Sequence, residues 1–175
     1  MYQSKLKLVW VKTGSKHIKK IMNINTKFAE CLVYNIKPDG SPQYLVLKRS
    51  LDAYIYPNIW QIVTGRVEEP ESAYECALRE VKEETGIIPK KFYVFPKLDQ
   101  FYTPENDMIN LVPTFIAEAE NDAVTISNEH SEYIWANYEE AMAKIYFLTQ
   151  KEILTYFNGF LKNKELFKTL IEIKL

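Results

Sequence analysis

The chain has 175 residues, with 22 Lys+Arg against 23 Asp+Glu and a formal net charge of −1. That length predicts one domain with a buried core, and an apolar content of 47% with 14% aromatics excludes a disordered chain. The near-zero charge excludes a protein built mainly to neutralise a nucleic-acid backbone. No apolar run approaches the roughly 20 residues of a membrane helix. Two isolated cysteines, Cys31 and Cys76, exclude a disulfide framework or a cysteine zinc cluster and point to a reducing cytoplasm.

The charge is unevenly placed. Residues 1–29 carry seven Lys and no acid. They hold no long apolar stretch of the secretory type and no Arg of the transit-peptide type. Residues 1–24 are expected to be a basic extension, read as a solvated arm, as sequence upstream of a start at Met22, or as a basic arm that helps hold a polyanion, with residues 25–175 as the domain. Lys5-Leu6-Lys7-Leu8 alternates like a strand, but the pattern breaks at Val9. Phe28 to Ile36 reads as a buried strand. Lys37 to Pro42 is a turn by composition, and Tyr44 to Leu47 is the returning strand, ending in Lys48-Arg49. Residues 50–58 read as loop, and Trp60 to Val63 as a short strand running into Thr64-Gly65.

Residues 71–85 are predicted helical, with Tyr74, Ala77, Leu78 and Val81 as an apolar stripe. Gly86 ends that helix and Pro89 follows as a stop. Two strand candidates, 91–98 and 109–119, flank a polar turn at 103–107. Tyr133 to Ala136 is a short strand. Asn137 with Glu140 opens a helix to about residue 147, and Thr149 with Glu152 has the capping-box pattern for a last long helix. This order predicts a mixed α/β fold.

Gly65 to Ile87 carries the chemistry. Glu80, Glu83 and Glu84 fall at i, i+3 and i+4 and in a helix share one side. Like charges so placed cost about 0.2–0.5 kcal/mol per pair, and a hard cation such as Mg²⁺ or Mn²⁺ removes that repulsion. Solvated acidic faces are common, so the triplet alone leaves both readings open. Arg79 stands four residues from both Glu75 and Glu83 and could hold a carboxylate by a bidentate contact. The five glycines form no dinucleotide or Walker loop, and no nucleophile elbow or HExxH zinc motif is present.

The same segment matches G-x5-E-x7-R-E-U-x-E-E-x-G-U, with U a bulky apolar residue, at Gly65, Glu71, Arg79, Glu80, Val81, Glu83, Glu84, Gly86 and Ile87. Its seven fixed letters would arise by chance on the order of 10⁻⁸ to 10⁻⁹ per start position. The chain resembles the Nudix hydrolase family over about residues 25–165. The resemblance implies an α/β/α sandwich whose mixed sheet carries a catalytic loop–helix–loop. It also implies hydrolysis of a nucleoside diphosphate linked to another group, with Mg²⁺ or Mn²⁺ as cofactor. By position, Glu80 and Glu84 would be metal ligands, Glu83 a ligand or the base, and the Gly65 carbonyl a further ligand. Arg79 and Glu71 would orient the glutamates, and Gly86 would close the helix.

Trp60-Gln61-Ile62-Val63-Thr64-Gly65-Arg66-Val67-Glu68-Glu69 and Glu129-His130 followed by Tyr133 and Trp135 are similar to the dATP and dihydroneopterin triphosphate pyrophosphohydrolase group. That similarity nominates Glu129 as a further ligand or base, and Lys48 and Arg49 as phosphate contacts. Trp60 and Gln61, from the matched string, and Tyr54, as a stacking aromatic in the preceding loop, complete the substrate-binding set. Residues 99–113 lack the Arg/His-rich stretch of the pterin enzymes, and nothing separates dATP from other triphosphates. The expected partner is a small nucleotide or pterin triphosphate, not a nucleic acid or a membrane, and the expected enzyme is a monomer or homodimer. Hydrolysis of dinucleoside polyphosphates, ADP-ribose or nucleotide sugars is the alternative. A non-catalytic nucleotide sensor is a third reading, against which all the motif glutamates are retained.

Overall fold

A computed structural model describes residues 22–175; the Lys5–Leu8 alternation lies outside the described residues. The strands are β1 (Asn23–Asn25), β2 (Phe28–Ile36), β3 (Pro42–Arg49), β4 (Trp60–Gln61), β5 (Val63–Arg66), β6 (Lys91–Thr103), β7 (Met108–Glu118), β8 (His130–Ala136) and β9 (Ile171–Ile173). The helices are α1 (Ala73–Thr85), α2 (Tyr138–Lys144), α3 (Leu148–Lys162) and α4 (Lys164–Phe167).

Among the described residues the nine strands join one mixed sheet. β2 lies at its centre, parallel to β7 on one side. On its other side its C-terminal end pairs with β3 and its N-terminal end with β5, both antiparallel. β3 continues alongside β8 and β4, so the sheet parts beside the N-terminal half of β2.

Strand alternation assigns the two faces. Leu32 and Tyr34 join the core with Ile153, Leu154 and Phe157 of α3. Ala29, Cys31 and Val33 join the opposite core with Cys76, Ala77 and Val81 of α1. The result is the expected α/β/α sandwich, with α1 packed on one face and α2–α4 on the other.

The boundaries depart from expectation for local reasons. Helix α1 begins after Ser72, which caps it with Glu75 in a capping box, so Glu71 stays in the preceding loop. Cys76 rather than Tyr74 joins the buried face, and Tyr74 is exposed. Gly86 adopts the left-handed conformation at φ 71° and closes α1 through its N–H on the Lys82 carbonyl. The expected Trp60–Val63 strand breaks at Ile62, whose N–H donates to Gln150 Oε1 instead of a strand neighbour, and a second strand runs from Val63 to Arg66. β6 and β7 run up to the 103–107 turn because their antiparallel ladder continues through Thr103 and Met108. Asn137 and Glu140 form the expected capping box, and α2 ends at Lys144. Thr149 does not cap α3. That helix starts after Phe147, and the Thr149 hydroxyl donates to Asp99 instead. β1, α4 and β9, none of them among the predicted elements, carry too few residues for a periodic signal.

Candidate active site

The loop from Gly65 and the inner side of α1 meet where β5 borders β2. Gly65 is placed by the Ala29–Gly65 pairing and lies against Glu80 so closely that a Cβ there would sit 2.0 Å from Glu80 Cγ. Only glycine allows this approach, and it sets the Gly65 backbone beside the Glu80 carboxylate.

Arg79 organises the acids around it. Its Nε and Nη2 grip Glu71 at 3.1 and 2.7 Å, Nη1 donates to Glu80 at 2.8 Å and Glu83 at 3.0 Å, and Nη2 also reaches the Arg66 carbonyl. The fork goes to Glu71 rather than to Glu75, because Glu75 is held by Ser72 in the cap. The Arg79 guanidinium in turn holds the Glu71 carboxyl down to about 2.

The three motif glutamates have different surroundings. Glu84 is buried, and its Oε2 has no hydrogen-bond partner. Burial first, and then the charges of Glu80 and Glu129, push its pKa well above the usual carboxylate range. Glu80 is largely covered and is raised by desolvation, with Arg79 opposing. Glu83 is 59% exposed and turned onto Arg79. Glu129 is exposed on the loop before β8, with its carbonyl fixed by the Ser50 N–H. His130 is buried, its Nε2 lies 3.7 Å from Glu84 Oε2, and burial lowers it to about 4, so it faces Glu84 as a neutral imidazole.

Among the described residues no three His, Cys, Asp or Glu side chains form a closed metal cluster. The arrangement nevertheless fits a hard divalent cation. It offers a buried, unpartnered carboxylate oxygen, two neighbouring carboxylates that raise its proton affinity, and the Gly65 backbone carbonyl, all oxygen donors of the kind Mg²⁺ and Mn²⁺ take.

A cavity of about 490 Å³ adjoins this cluster through Thr64, Gly65 and Arg66. Of the expected substrate contacts, Arg49 and Gln61 line it. Arg49 Nε donates to the Ile55 carbonyl and so also holds the 50–58 loop. Lys48, Trp60 and Tyr54 are not in its lining. Lys48 pairs with Glu132 at 2.5 Å and lies over the Trp60 ring, which Lys144 also covers. Tyr54 is fully exposed, whereas Ile55 and Tyr56 of the same loop line the cavity. Tyr56 is anchored edge-on to Phe147 with ring centroids 5.2 Å apart.

The floor was missed from the sequence. Glu30 on β2 and Asp99 on β6 are both buried and both line the cavity. The available signal is a single acid inside the mostly apolar strand FAECLVYNI. An acid in such a run is costly unless a site requires it.

Comparison with known proteins agrees with this layout. The NUDIX domain family model matches residues 29–157. The asymmetrical bis(5'-nucleosyl)-tetraphosphatase of Caenorhabditis elegans is 27% identical over 138 residues, covering 77% of this chain and 96% of that one. The dihydroneopterin triphosphate diphosphatase of Escherichia coli K12 is 31% identical over 121 residues, covering 62% and 77% respectively. Among solved structures, a C. elegans Ap4A hydrolase binary complex superposes with a TM-score of 0.66 at 25% identity, covering 78% of this chain and 98% of that one.

Proposed function

Because the chain belongs to the NUDIX family of hydrolases, we propose that it cleaves a pyrophosphate bond in a nucleoside-triphosphate-like substrate, of the dATP or pterin triphosphate type, releasing a monophosphate and pyrophosphate. The observation that carries this reading is the junction at Gly65, which joins the Glu80–Glu84 cluster to one cavity of about 490 Å³. That is the volume of a pocket for a single small ligand, with the acids at its phosphate end.

Glu80, Glu84 and the Gly65 carbonyl would hold Mg²⁺ or Mn²⁺, with Glu83 and Glu129 approaching from the solvent side. A divalent cation held there supplies charge neutralisation for the phosphates and acidifies water. Arg79 keeps Glu80 and Glu83 in place, and Glu71 keeps Arg79 in place. Glu83 or Glu129, both solvent-facing carboxylates, takes the proton of the attacking water. Arg49 and Arg66 at the cavity wall provide cationic contacts for phosphate oxygens. Tyr56 and Phe147 close one apolar side and limit water.

In this reading residues 25–175 form the catalytic domain and residues 1–24 a basic extension, whose last residues, Asn23 and Ile24, begin strand β1 of the domain's sheet. No helix among the described residues is long and apolar enough to cross a membrane, and the proposed setting is the cytoplasm, as a monomer or homodimer.

A second reading is asymmetrical cleavage of a dinucleoside polyphosphate. It is favoured by the match over nearly the whole C. elegans relative and by the aromatic cluster Tyr56, Tyr146 and Phe147, which could seat a second base. A turnover panel with Mg²⁺ separates the two. It comprises nucleoside triphosphates, dihydroneopterin triphosphate, diadenosine polyphosphates, ADP-ribose and nucleotide sugars, with pyrophosphate and phosphate assayed separately. Pyrophosphate release from a triphosphate is the expected result. Turnover confined to dinucleotides, ADP-ribose or sugars would overturn the first reading.

A further inference from the structure

The cavity floor has a hydrogen-bonding pattern of its own. Glu30 is held by the Thr114 and Gln150 side chains, whereas Asp99 keeps one oxygen unpartnered. Glu30 Oε1 accepts from the Thr114 hydroxyl at 2.8 Å, and Asp99 Oδ2 accepts from the Thr149 hydroxyl at 3.0 Å. Asp99 Oδ1 is buried without any donor. The nearby Lys97 is committed elsewhere, since it pairs with Glu152 at 2.9 Å. A buried carboxylate oxygen without a partner is costly in an empty site and is satisfied when a ligand brings an N–H. Above the floor, Phe28, Phe101 and Tyr56 provide aromatic walls, which suit a flat ring.

We propose that Glu30 and Asp99 are specificity-determining residues that read the edge of a 2-amino-4-oxopyrimidine ring, the edge common to guanine and pterins. The inference rests on the pyrophosphohydrolase reading and names the class of base that site accepts. That edge presents a carbonyl acceptor, a ring N–H and an amino group in a row. The ring N–H and amino group form a bidentate pair that a carboxylate such as Asp99 accepts. The neighbouring carbonyl then needs a donor, and the Glu30 acid supplies one. Burial and the adjacent Asp99 charge push Glu30 up to about 8, which keeps its proton on at neutral pH. Adenine places an acceptor nitrogen where Asp99 needs a donor. Uracil and cytosine likewise fail to offer two adjacent donors. A site built on such hydrogen bonds rejects mismatched edges strongly, because its buried polar groups are left unpaired.

The test compares kcat/KM for dGTP, dihydroneopterin triphosphate, dATP, dCTP and dUTP with Mg²⁺ in wild type, Asp99→Asn and Glu30→Gln. Equilibrium binding of GDP and ADP is measured alongside without metal. The wild type is expected to favour the guanine and pterin substrates by about 10²-fold or more and to bind GDP more tightly than ADP. Asp99→Asn is expected to cut that preference at least tenfold, chiefly through KM, and Glu30→Gln to cut it less, since an amide still donates. Equal or reversed preference in the wild type, or an unchanged preference in Asp99→Asn, would overturn the assignment. If no triphosphate turns over, the pyrophosphohydrolase reading fails by itself, and the GDP-to-ADP ratio in wild type and Glu30→Gln still decides the base assignment. Should Asp99→Asn not fold, the wild-type preference and its reduction in Glu30→Gln decide the matter.

Discussion

Replacing Gly65 by Ala tests the junction between α1 and the cavity. The added Cβ would lie 2.0 Å from Glu80 Cγ and 2.2 Å from its Cδ and Oε1. The β5 backbone cannot retreat without breaking its pairing with Phe28–Cys31, so the Glu80 side chain must swing away. It then loses the 2.8 Å bond from Arg79 Nη1, a charge-assisted contact worth about 1–2 kcal/mol in a partly covered setting. For a chain of this size that lowers Tm by roughly 2–8 °C. The effect on turnover is larger, because a carboxylate moved by about 1 Å from its working position costs on the order of 10²-fold. Thermal melts and steady-state kinetics over a Mg²⁺ series measure both. The variant is expected to fold, to lose about two orders of magnitude in kcat and to need more Mg²⁺ for half-maximal rate. Near-wild-type kcat with an unchanged Mg²⁺ requirement would refute the role given to the Gly65–Glu80 contact.

Arg79→Lys keeps the charge but loses the planar fork that spans Glu71, Glu80 and Glu83. Calorimetry should show a loss of about 1–2 kcal/mol, accompanied by a fall in kcat; unaltered values of both would dismiss the clamp. Glu30 gives a pH dependence of stability. It ionises near 4.5 when unfolded and at about 8 when folded, because burial disfavours its charge. The native state therefore holds the extra proton between those values, and stability is full below pH 4.5 and declines as pH rises toward 8. At about 1.4 kcal/mol per pKa unit this amounts to roughly 5 kcal/mol. Urea unfolding of Glu30→Gln across that window should show a flatter slope than wild type, and parallel slopes would disprove the buried-acid assignment. Tyr56→Ala should raise KM several-fold whereas Tyr54→Ala should not, since only Tyr56 lines the cavity; the reverse order in a Michaelis–Menten comparison would contradict the placement.

What could be read from the sequence was local and periodic. The β2 apolar run, the Asn137–Glu140 cap and the Gly86 stop encode their geometry within a few residues and the structure keeps them, as it keeps Ala77 and Val81 of the α1 stripe, with Cys76 in place of Tyr74. The motif spacing likewise put Glu80, Glu84 and Arg79 together, because one helix carries all three. The illegible parts depend on what lies across the fold. Lys48 and Arg49 are adjacent in sequence, yet one pairs with Glu132 and the other lines the cavity, a choice set by β8 and the bulge beside it. Arg79 stands four residues from both Glu75 and Glu83, but the Ser72 cap claims Glu75 and the fork goes to Glu71 across the loop. Tyr54 and Tyr56 are told apart by long-range contacts, since Arg49 holds the Ile55 carbonyl between them and Tyr56 packs on Phe147. Glu30 and Asp99 lie 69 positions apart, and only the sheet order makes them neighbours.

Whether the acids of α1 hold a divalent cation for pyrophosphate cleavage is decided most directly by two readouts on wild type and Glu84→Gln. One is pyrophosphate release from the best triphosphate substrate, with Mg²⁺ and with chelator. The other is the Mg²⁺-induced shift in Tm. Wild type is expected to turn over only with Mg²⁺ and to melt at a higher temperature with the metal, and both effects are expected to be largely lost in Glu84→Gln. Full turnover in chelator, or retained turnover and Tm shift in Glu84→Gln, would contradict a metal site on α1.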